Sequence, residues 1–521
     1  MSTTKKGIES ALMRGADSLR DTIDAANYKD YVLPLMFVKY LSDTYREKVE
    51  DLEKTYQGIR LERQKRYLPF TVAEDCSFTT LYEQRFSDNI GQIINTALRQ
   101  IENDNNQQLA GVLNTTDYNS ENALGTREHK NAILRELLED LYPLDLRPSQ
   151  IEVKDGEVPA DVIGDAYEYM IGQFASMAGK KAGSFYTPAA VSEIMAQIVA
   201  VKPGERVYDP TCGSGSLLIK AAKKGNSNQV SIFGQEVNGS SVAMAKMNMY
   251  IHEIRDAVIA WGDTLANPMF KDEDGNLLTF DAIVANMPFS KGKWAAGFNP
   301  GGDAVGKGKK EFKMEATLDK YHRFDWGVPP ASKGDWAFLL HMIASASVGG
   351  RIAAVAPHGV LFRGAAEGRI RQRIVDENLL DAVIGLPENL FYGTPIPACI
   401  LVFKKNRENS DVLFIDASGK DEEGNNRFKK DKSQNVLEQK HIDAIIKAFH
   451  ERKDVDKFAH VATLEEIKSN DYNLNIPRYV DTFEEEELVD IEEVRGNIAR
   501  LKTEIAEVEA EMEKYMKELG L

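Results

Sequence analysis

Cysteine is scarce in this chain: Cys76, Cys212 and Cys399 are the only three among 521 residues, and no Cys-x-x-Cys spacing occurs. This argues against a disulfide framework and a thiolate zinc site, no metal is expected, and a reducing cytoplasm is the expected location. Long hydrophobic runs are also missing. None approaches the roughly 18 residues of a membrane span, and the opening MSTTKKGIES has no apolar signal core, so no membrane partner is expected. Excess positive charge is missing too, since 64 Lys and Arg against 81 Asp and Glu leave a net charge of -17. A surface of that sign repels nucleic acid, so any DNA contact must come from a local basic patch or a partner. Two phosphate-binding signatures are incomplete. A dinucleotide fingerprint built on Gly213 and Gly215 would need a third glycine where Leu218 stands, and no Lys-Ser/Thr pair marks a phosphate loop.

What is present is 43% apolar and 28% charged residues, a soluble globular composition in a chain too long for one core. Residues 1–158 read as a helical domain. Leu12, Leu19 and Ile23 recur at helical spacing, Tyr31 to Leu41 is strongly apolar, and Phe86 to Ile101 and Asn131 to Leu141 keep the same period. Residues 159–480 change character, with apolar strands alternating with amphipathic helices, the pattern of a doubly wound sheet.

The sharpest signal is Phe280 to Phe289, FDAIVANMPF. Ile283, Val284 and Ala285 suit a strand covered on both faces of a parallel sheet, whose carboxyl end is where ligands gather. At that end stand Asn286, Met287, Pro288 and Phe289. An Asn side chain and the carbonyl held by the following proline offer two acceptors to one NH2 group, and Phe289 offers a face for a planar base. Three earlier strands end in acids. Arg206 to Asp209 runs into DPTCGSGSL, where Gly213 and Gly215 permit close backbone approach at a helix start. Asp209 suits a cationic or hydroxyl-bearing ligand better than a pyrophosphate. Glu236 ends the next strand and can accept from both ribose hydroxyls. Asp263 follows Ala257 to Trp261 and can accept from an adenine amine.

Strand-DPTCGSGSL-helix, then Glu236, Asp263 and NMPF, resembles the S-adenosylmethionine-dependent DNA amino-methyltransferases. Upstream, Phe185-Tyr186-Thr187-Pro188 is similar to their additional cofactor motif, placed as in the adenine-N6 group. The helix DAYEYMIGQFA, the strand GGRIAAVAPHGVLFRG and the segment FYGTPIPACILVF narrow the resemblance to modification subunits of type I restriction-modification systems. The resemblance covers nearly the whole chain. One departure is Met287, where many relatives carry Pro; its carbonyl remains an acceptor. The resemblance implies a seven-stranded Rossmann-like methyltransferase sheet with the last strand antiparallel. It also implies cofactor contacts from Ser184, Phe185, Tyr186, Thr187, Pro188, Asp209, Pro210, Gly213, Ser214, Gly215, Ser216, Glu236 and Asp263. Catalysis falls to Asn286, Met287, Pro288 and Phe289, acting on an adenine flipped from double-stranded DNA. A methyltransferase of protein glutamine amides would use the same Asn-x-Pro-aromatic logic, and a cofactor-binding scaffold without catalysis is a third reading.

Two further segments bear on partners. The loop Ser290 to Lys313 carries Lys291, Lys293, Lys307, Lys309 and Lys310, a basic patch beside the catalytic motif suited to DNA phosphates. In residues 481–521, Ile491, Val494, Ile498, Leu501, Ile505, Val508, Met512, Tyr515 and Leu519 alternate spacings of three and four, the seam of a C-terminal coiled-coil helix. No segment reads as a target-recognition domain. The resemblance supplies the missing reader as a specificity subunit, two modification subunits to each, with a restriction subunit in the full complex.

Overall fold

The computed structural model describes residues 2–20, 22–179, 186–298, 313–421, 423–431, 434–481 and 491–519. The chain divides into two units, Met1–Val480 and Asp481–Leu521. In the first unit the apolar run read from the sequence lies within the helix Tyr28–Thr55, which buries every residue from Tyr31 to Thr44. Lys39 and Asp43, four apart on one helix face, form a buried pair at 2.6 Å. Asp43 also accepts the backbone N–H of Leu146 at 2.9 Å, fastening the end of the helical region to its longest helix. The helix expected from Phe86 begins instead at Ile90 and runs to Asp104. Phe86 is exposed, with the guanidinium of Arg85 4.3 Å from its ring centroid.

The core of this helical region continues beyond residue 158. It takes in Val162 to Ala175 on the helix Pro159–Ala178, and Met244, Met247, Tyr250 and Ile251 on the helix Gly239–Ile251. Those two helices tie the helical region to the sheet.

The sheet is built from β1 (Arg206–Asp209), β2 (Ser231–Glu236), β3 (Val258–Trp261), β4 (Phe280–Asn286), β5 (Ala346–Pro357), β6 (Leu380–Gly385), β7 (Ala398–Lys404), β8 (Val412–Asp416) and β9 (Ala459–Ala462). Their order is β3-β2-β1-β4-β5-β7-β6-β8-β9. Among the described residues the sheet has nine strands where seven are expected. β7 runs antiparallel between β5 and β6, while β8 pairs parallel with β6 and β9 antiparallel with β8. In the sequence, β8 is obscured by the charged segments around its apolar Val412 to Ile415, and β9, Ala-His-Val-Ala, has only one strongly apolar residue.

Both faces are covered. Along β4 the side chains alternate, Ala282 and Val284 entering one core, Ile283 and Ala285 the other. One core includes the helices Ala189–Val199, Ser216–Lys224 and Gln439–Glu451, and the other includes Asp335–Ala344 and Ala365–Asp376. The order turns at β1, which has β2 on one side and β4 on the other. Such a switch point leaves a crevice at the carboxyl ends of the strands.

In the second unit, Ile491–Leu519 is one helix. Its apolar residues from Val494 to Leu519 are exposed.

Candidate active site

Four consecutive parallel strands deliver polar side chains to one edge. Asp209 ends β1, Glu236 ends β2, Asp263 follows β3, and Asn286 ends β4. Two adjoining cavities open there. One is lined by Tyr186, Thr187, Asp209, Gly213, Ser214 and Ser216, among others. The second, of about 230 Å³, is lined by Pro210, Glu236, Asp263, Pro288, Lys291 and Phe338, among others. Thr211 and Asn286 line both. A larger cavity of about 660 Å³ lies in the helical region between Tyr45, Lys65 and Gln108. It holds none of the motif residues, so size does not identify the active site.

The glycine loop is shaped by its neighbours. Gly213 and Gly215 have φ of 51° and 78°, left-handed values that glycine adopts without strain. A Cβ on Gly215 would sit 3.2 Å from the Met249 methyl, so the loop packs tightly on the helix Gly239–Ile251. Glu236 accepts from the backbone N–H of Gly213 at 3.1 Å and of Asn238 at 2.8 Å, one through each carboxylate oxygen. It therefore fixes the loop while lining the cavity. Burial raises its pKa against those two hydrogen bonds. Asp209 is 2% exposed and accepts only from Thr211 among the described residues. Burial pushes its pKa up to about 8, with nearby Glu236 adding to the effect. These are two sequestered carboxyls with no paired cation among the described residues, an environment that a positively charged ligand would relieve.

Asn286 is held from outside its strand. Its Nδ2 donates to Thr187 Oγ1 at 3.1 Å, leaving Oδ1 as the acceptor for another group. Tyr186 lies 5.7 Å from Tyr392, ring centroid to centroid, and fits because Gly172 has no side chain: a Cβ there would come 3.1 Å from the tyrosine hydroxyl. Pro188 caps the helix Ala189–Val199. Met287 is buried in the core, which pins the backbone between the Asn and Pro288. Phe289 meets Phe391 edge to face at 5.9 Å.

An Asn-centred acceptor beside an acid-lined crevice is amine chemistry, and comparison with known proteins decides which. The N-6 DNA Methylase family matches residues 158–488, and the HsdM N-terminal domain matches residues 8–141. The chain belongs to the N-6 DNA methylase family. It is 33% identical to the MjaVIII methylase subunit of the type I restriction enzyme of Methanocaldococcus jannaschii, over 98% of this chain and 84% of that one. It is 32% identical to the MpnII methylase subunit of Mycoplasma pneumoniae, over 95% and 93%. The solved type I restriction-modification methyltransferase subunit from Streptococcus thermophilus is 36% identical, with a TM-score of 0.76 over 92% of this chain and 100% of that one. The activity is therefore adenine methylation by a type I methylase subunit. The glutamine-amide and scaffold readings of the sequence fall away.

Much of what supports this methylase site is invisible in the sequence motifs. Gln235, wholly buried, donates to the carbonyls of Gly262 and Asn267 and accepts from the N–H of Met269 at 3.1 Å, so it sets the turn that carries Asp263. Asp263 Oδ1 caps that turn, accepting from Leu265 and Ala266. Beneath it, buried Arg323 pairs with Asp319 and donates to the carbonyls of Thr264 and Leu265. Arg323 also reaches His341 Nδ1 at 3.3 Å, and His341 Nε2 reaches the Tyr208 hydroxyl at 3.1 Å. Because arginine only donates, Nδ1 must be the acceptor and Nε2 carries the proton. Burial and Arg323 keep this histidine neutral, its pKa well below the ordinary value.

The expected DNA-contacting lysines are divided. Lys291 Nζ lies 3.7 Å from Asp263 Oδ2 inside the crevice, and Lys293 is exposed on a left-handed turn with φ of 54°. Asp335, wholly buried, holds the start of this loop by accepting from Ser290 N–H at 2.6 Å, and is itself paired with Arg363. Lys307, Lys309 and Lys310, like Ser184 and Phe185, lie outside the described residues.

Proposed function

We propose that this chain is the catalytic modification subunit that moves a methyl group from S-adenosylmethionine to the N6 amine of an adenine flipped out of the duplex, at a sequence chosen by a separate specificity subunit. The observation that carries the reading is Asn286, which lines both cavities and has its amide turned by Thr187. When bound, S-adenosylmethionine supplies an electrophilic methyl group on a sulfonium centre.

The residues present fit that cofactor. Asp209, buried without a counter-charge, faces the cavity beside the glycine loop, where a cationic ligand would offset its desolvation. Glu236 keeps acceptor capacity for ribose hydroxyls beyond the two backbone N–H groups it holds, because each carboxylate oxygen has two lone pairs. Asp263 Oδ2 stands on the same wall for the adenine amine. Pro210, Gly213, Ser214, Gly215 and Ser216 supply the close backbone surface, with Tyr186 and Thr187 across the same cavity, and Ser184, Phe185 and Pro188 of the same motif are proposed as further contacts.

For the adenine, Asn286 Oδ1 and the Met287 carbonyl accept the two N–H groups of an amine whose lone pair is otherwise conjugated into the ring. Acceptors fixed before the reaction favour a pyramidal nitrogen and stabilise the positive charge that develops on it. Pro288 restricts Met287 to extended backbone, and Phe289 offers the face on which the flipped base stacks. Lys291, Lys293, Lys307, Lys309 and Lys310 offset the chain's negative charge at the phosphates. With a net charge of -17, the chain recruits sequence recognition from a specificity subunit, two modification subunits to each, and a restriction subunit completes a cytoplasmic complex. Labelled S-adenosylmethionine offered to the purified complex with its target duplex should mark adenine N6. Label appearing in protein, or in DNA lacking the target adenine, would contradict the proposal.

A further inference from the structure

Arg323 is wholly buried in the segment between β4 and the helix Asp335–Ala344. Its Nε and Nη2 hold the Asp319 carboxylate at 2.8 to 3.1 Å. Nη2 also donates to the Leu265 carbonyl at 2.7 Å, and Nη1 donates to the Thr264 carbonyl at 3.2 Å and to His341 Nδ1 at 3.3 Å. Every N–H of the guanidinium therefore has an acceptor. The rings of Phe298 and Phe324 each lie 5.5 Å from the guanidinium carbon and help to enclose it.

A buried ion pair is weak evidence for stability, because desolvation offsets much of its attraction. The other acceptors say more about the task. Thr264 and Leu265 directly follow Asp263, whose Oδ1 is engaged within the same turn. Thr264 Oγ1 donates in turn to the Pro210 carbonyl at 2.5 Å, and His341 Nε2 reaches the Tyr208 hydroxyl at 3.1 Å. Tyr208 and Pro210 flank Asp209. Hydrogen bonds thus run from one guanidinium to both neighbours of Asp209, passing on one side through the neighbour of Asp263. The strands that lead to these two acids, β1 and β3, are not paired with each other, because β2 lies between them. Gln235 of β2 holds the two ends of the turn, at Gly262 and at Asn267 and Met269. Arg323 holds its middle and ties it to β1.

We propose that Arg323 is a positioning residue: held by Asp319 and steadied by His341, it fixes the turn after Asp263 against β1, so that Asp263 Oδ2 meets the amine of the cofactor's adenine while Asp209 faces the cationic end. Arg323 touches no ligand itself. Lysine cannot replace it fully, because an ammonium lacks the planar fork and has fewer donors than these acceptors need.

The inference rests on the crevice being the S-adenosylmethionine site. It is tested by calorimetric titration of two probes, S-adenosylhomocysteine and its counterpart with hydrogen in place of the adenine amine, into the full-length chain and its D319L/R323M and R323K variants. Leucine and methionine remove both charges together, which leaves no unpaired buried ion. Wild type should prefer the amine-bearing probe by about tenfold or more, as a site built to hydrogen-bond an N–H rejects an analogue lacking it. D319L/R323M should bind that probe about tenfold more weakly and the amine-free probe within about twofold of wild type, and R323K should fall between. Equal weakening of both probes, or an unchanged preference, overturns the positioning role. So does a finding by circular dichroism that both variants are unfolded, since the network would then serve the fold alone. If only the double variant is unfolded, R323K decides: partial loss of the preference supports the role, and full retention overturns it. Wild type that binds both probes alike would overturn the Asp263 contact and this inference while leaving the cofactor site standing. Wild type that binds neither would overturn the cofactor reading itself.

Discussion

Thr187 Oγ1 accepts a hydrogen bond from Asn286 Nδ2 at 3.1 Å, joining a residue before the glycine loop to the end of β4, 99 positions later. The sequence marks Thr187 only as part of a cofactor motif. Its contact also fixes the Asn286 amide with Nδ2 engaged, which leaves Oδ1 as the acceptor.

Thr187→Val keeps the shape and removes this acceptor. A neutral hydrogen bond contributes about 1 kcal/mol net, so single-turnover methylation in the assembled complex should slow by roughly fivefold. S-adenosylmethionine affinity should change less than the rate does. An unchanged rate would mean that the amide is oriented by other contacts.

Asp209 makes the unliganded site pH-dependent. Its folded pKa, about 8, lies above the ordinary carboxylate value of 3.8, so the stability linked to its proton is complete below that ordinary value and is lost as pH rises through about 8. Asp209→Asn should therefore flatten the decline in melting temperature of the cofactor-free chain between about pH 5 and about pH 8, and weaken S-adenosylmethionine binding. Parallel melting profiles for the two proteins would show that Asp209 is ionised in the unliganded fold.

The four strand-end residues were legible in the sequence because each follows a short apolar run, and a parallel sheet covered on both faces places every such end at one edge. Strand β8 was missed because charged neighbours dilute its four apolar residues. Gln235 and Arg323 were missed for a different reason. Their roles arise from partners distant in sequence, as when Arg323 meets Thr264 and Leu265, and no local pattern records such a pairing. Lys291 could be placed beside the catalytic motif by its position, but its approach to Asp263 depends on the path of the intervening sheet.

The basic loop predicts a salt effect. Replacing Lys307, Lys309 and Lys310 with Ala should weaken binding of target and non-target duplex alike, and flatten the logarithmic salt dependence by roughly 0.9 per lost phosphate contact. An unaltered slope would remove these lysines from the DNA interface.

The exposed apolar residues of Ile491–Leu519 predict a docking role. Each buried side chain contributes about 1.5 to 3 kcal/mol, so a row of them can exceed association costs of about 4 to 15 kcal/mol. Truncation before Ile491 should abolish copurification of the specificity subunit and site-specific methylation, while the remaining unit still binds S-adenosylmethionine. Normal assembly of the truncated chain would place the docking surface elsewhere.

The central claim is that Asn286 acts on the amine that receives the methyl group and not on the cofactor. Its most direct test is Asn286→Ala in the assembled complex, with S-adenosylmethionine affinity and single-turnover transfer to a flippable target adenine measured on the same preparation. Affinity should be retained while transfer falls by roughly two or more orders of magnitude, as when a preorganised polar group is removed from a transition state. Near-normal transfer, or a loss explained wholly by weakened cofactor binding, would contradict the account.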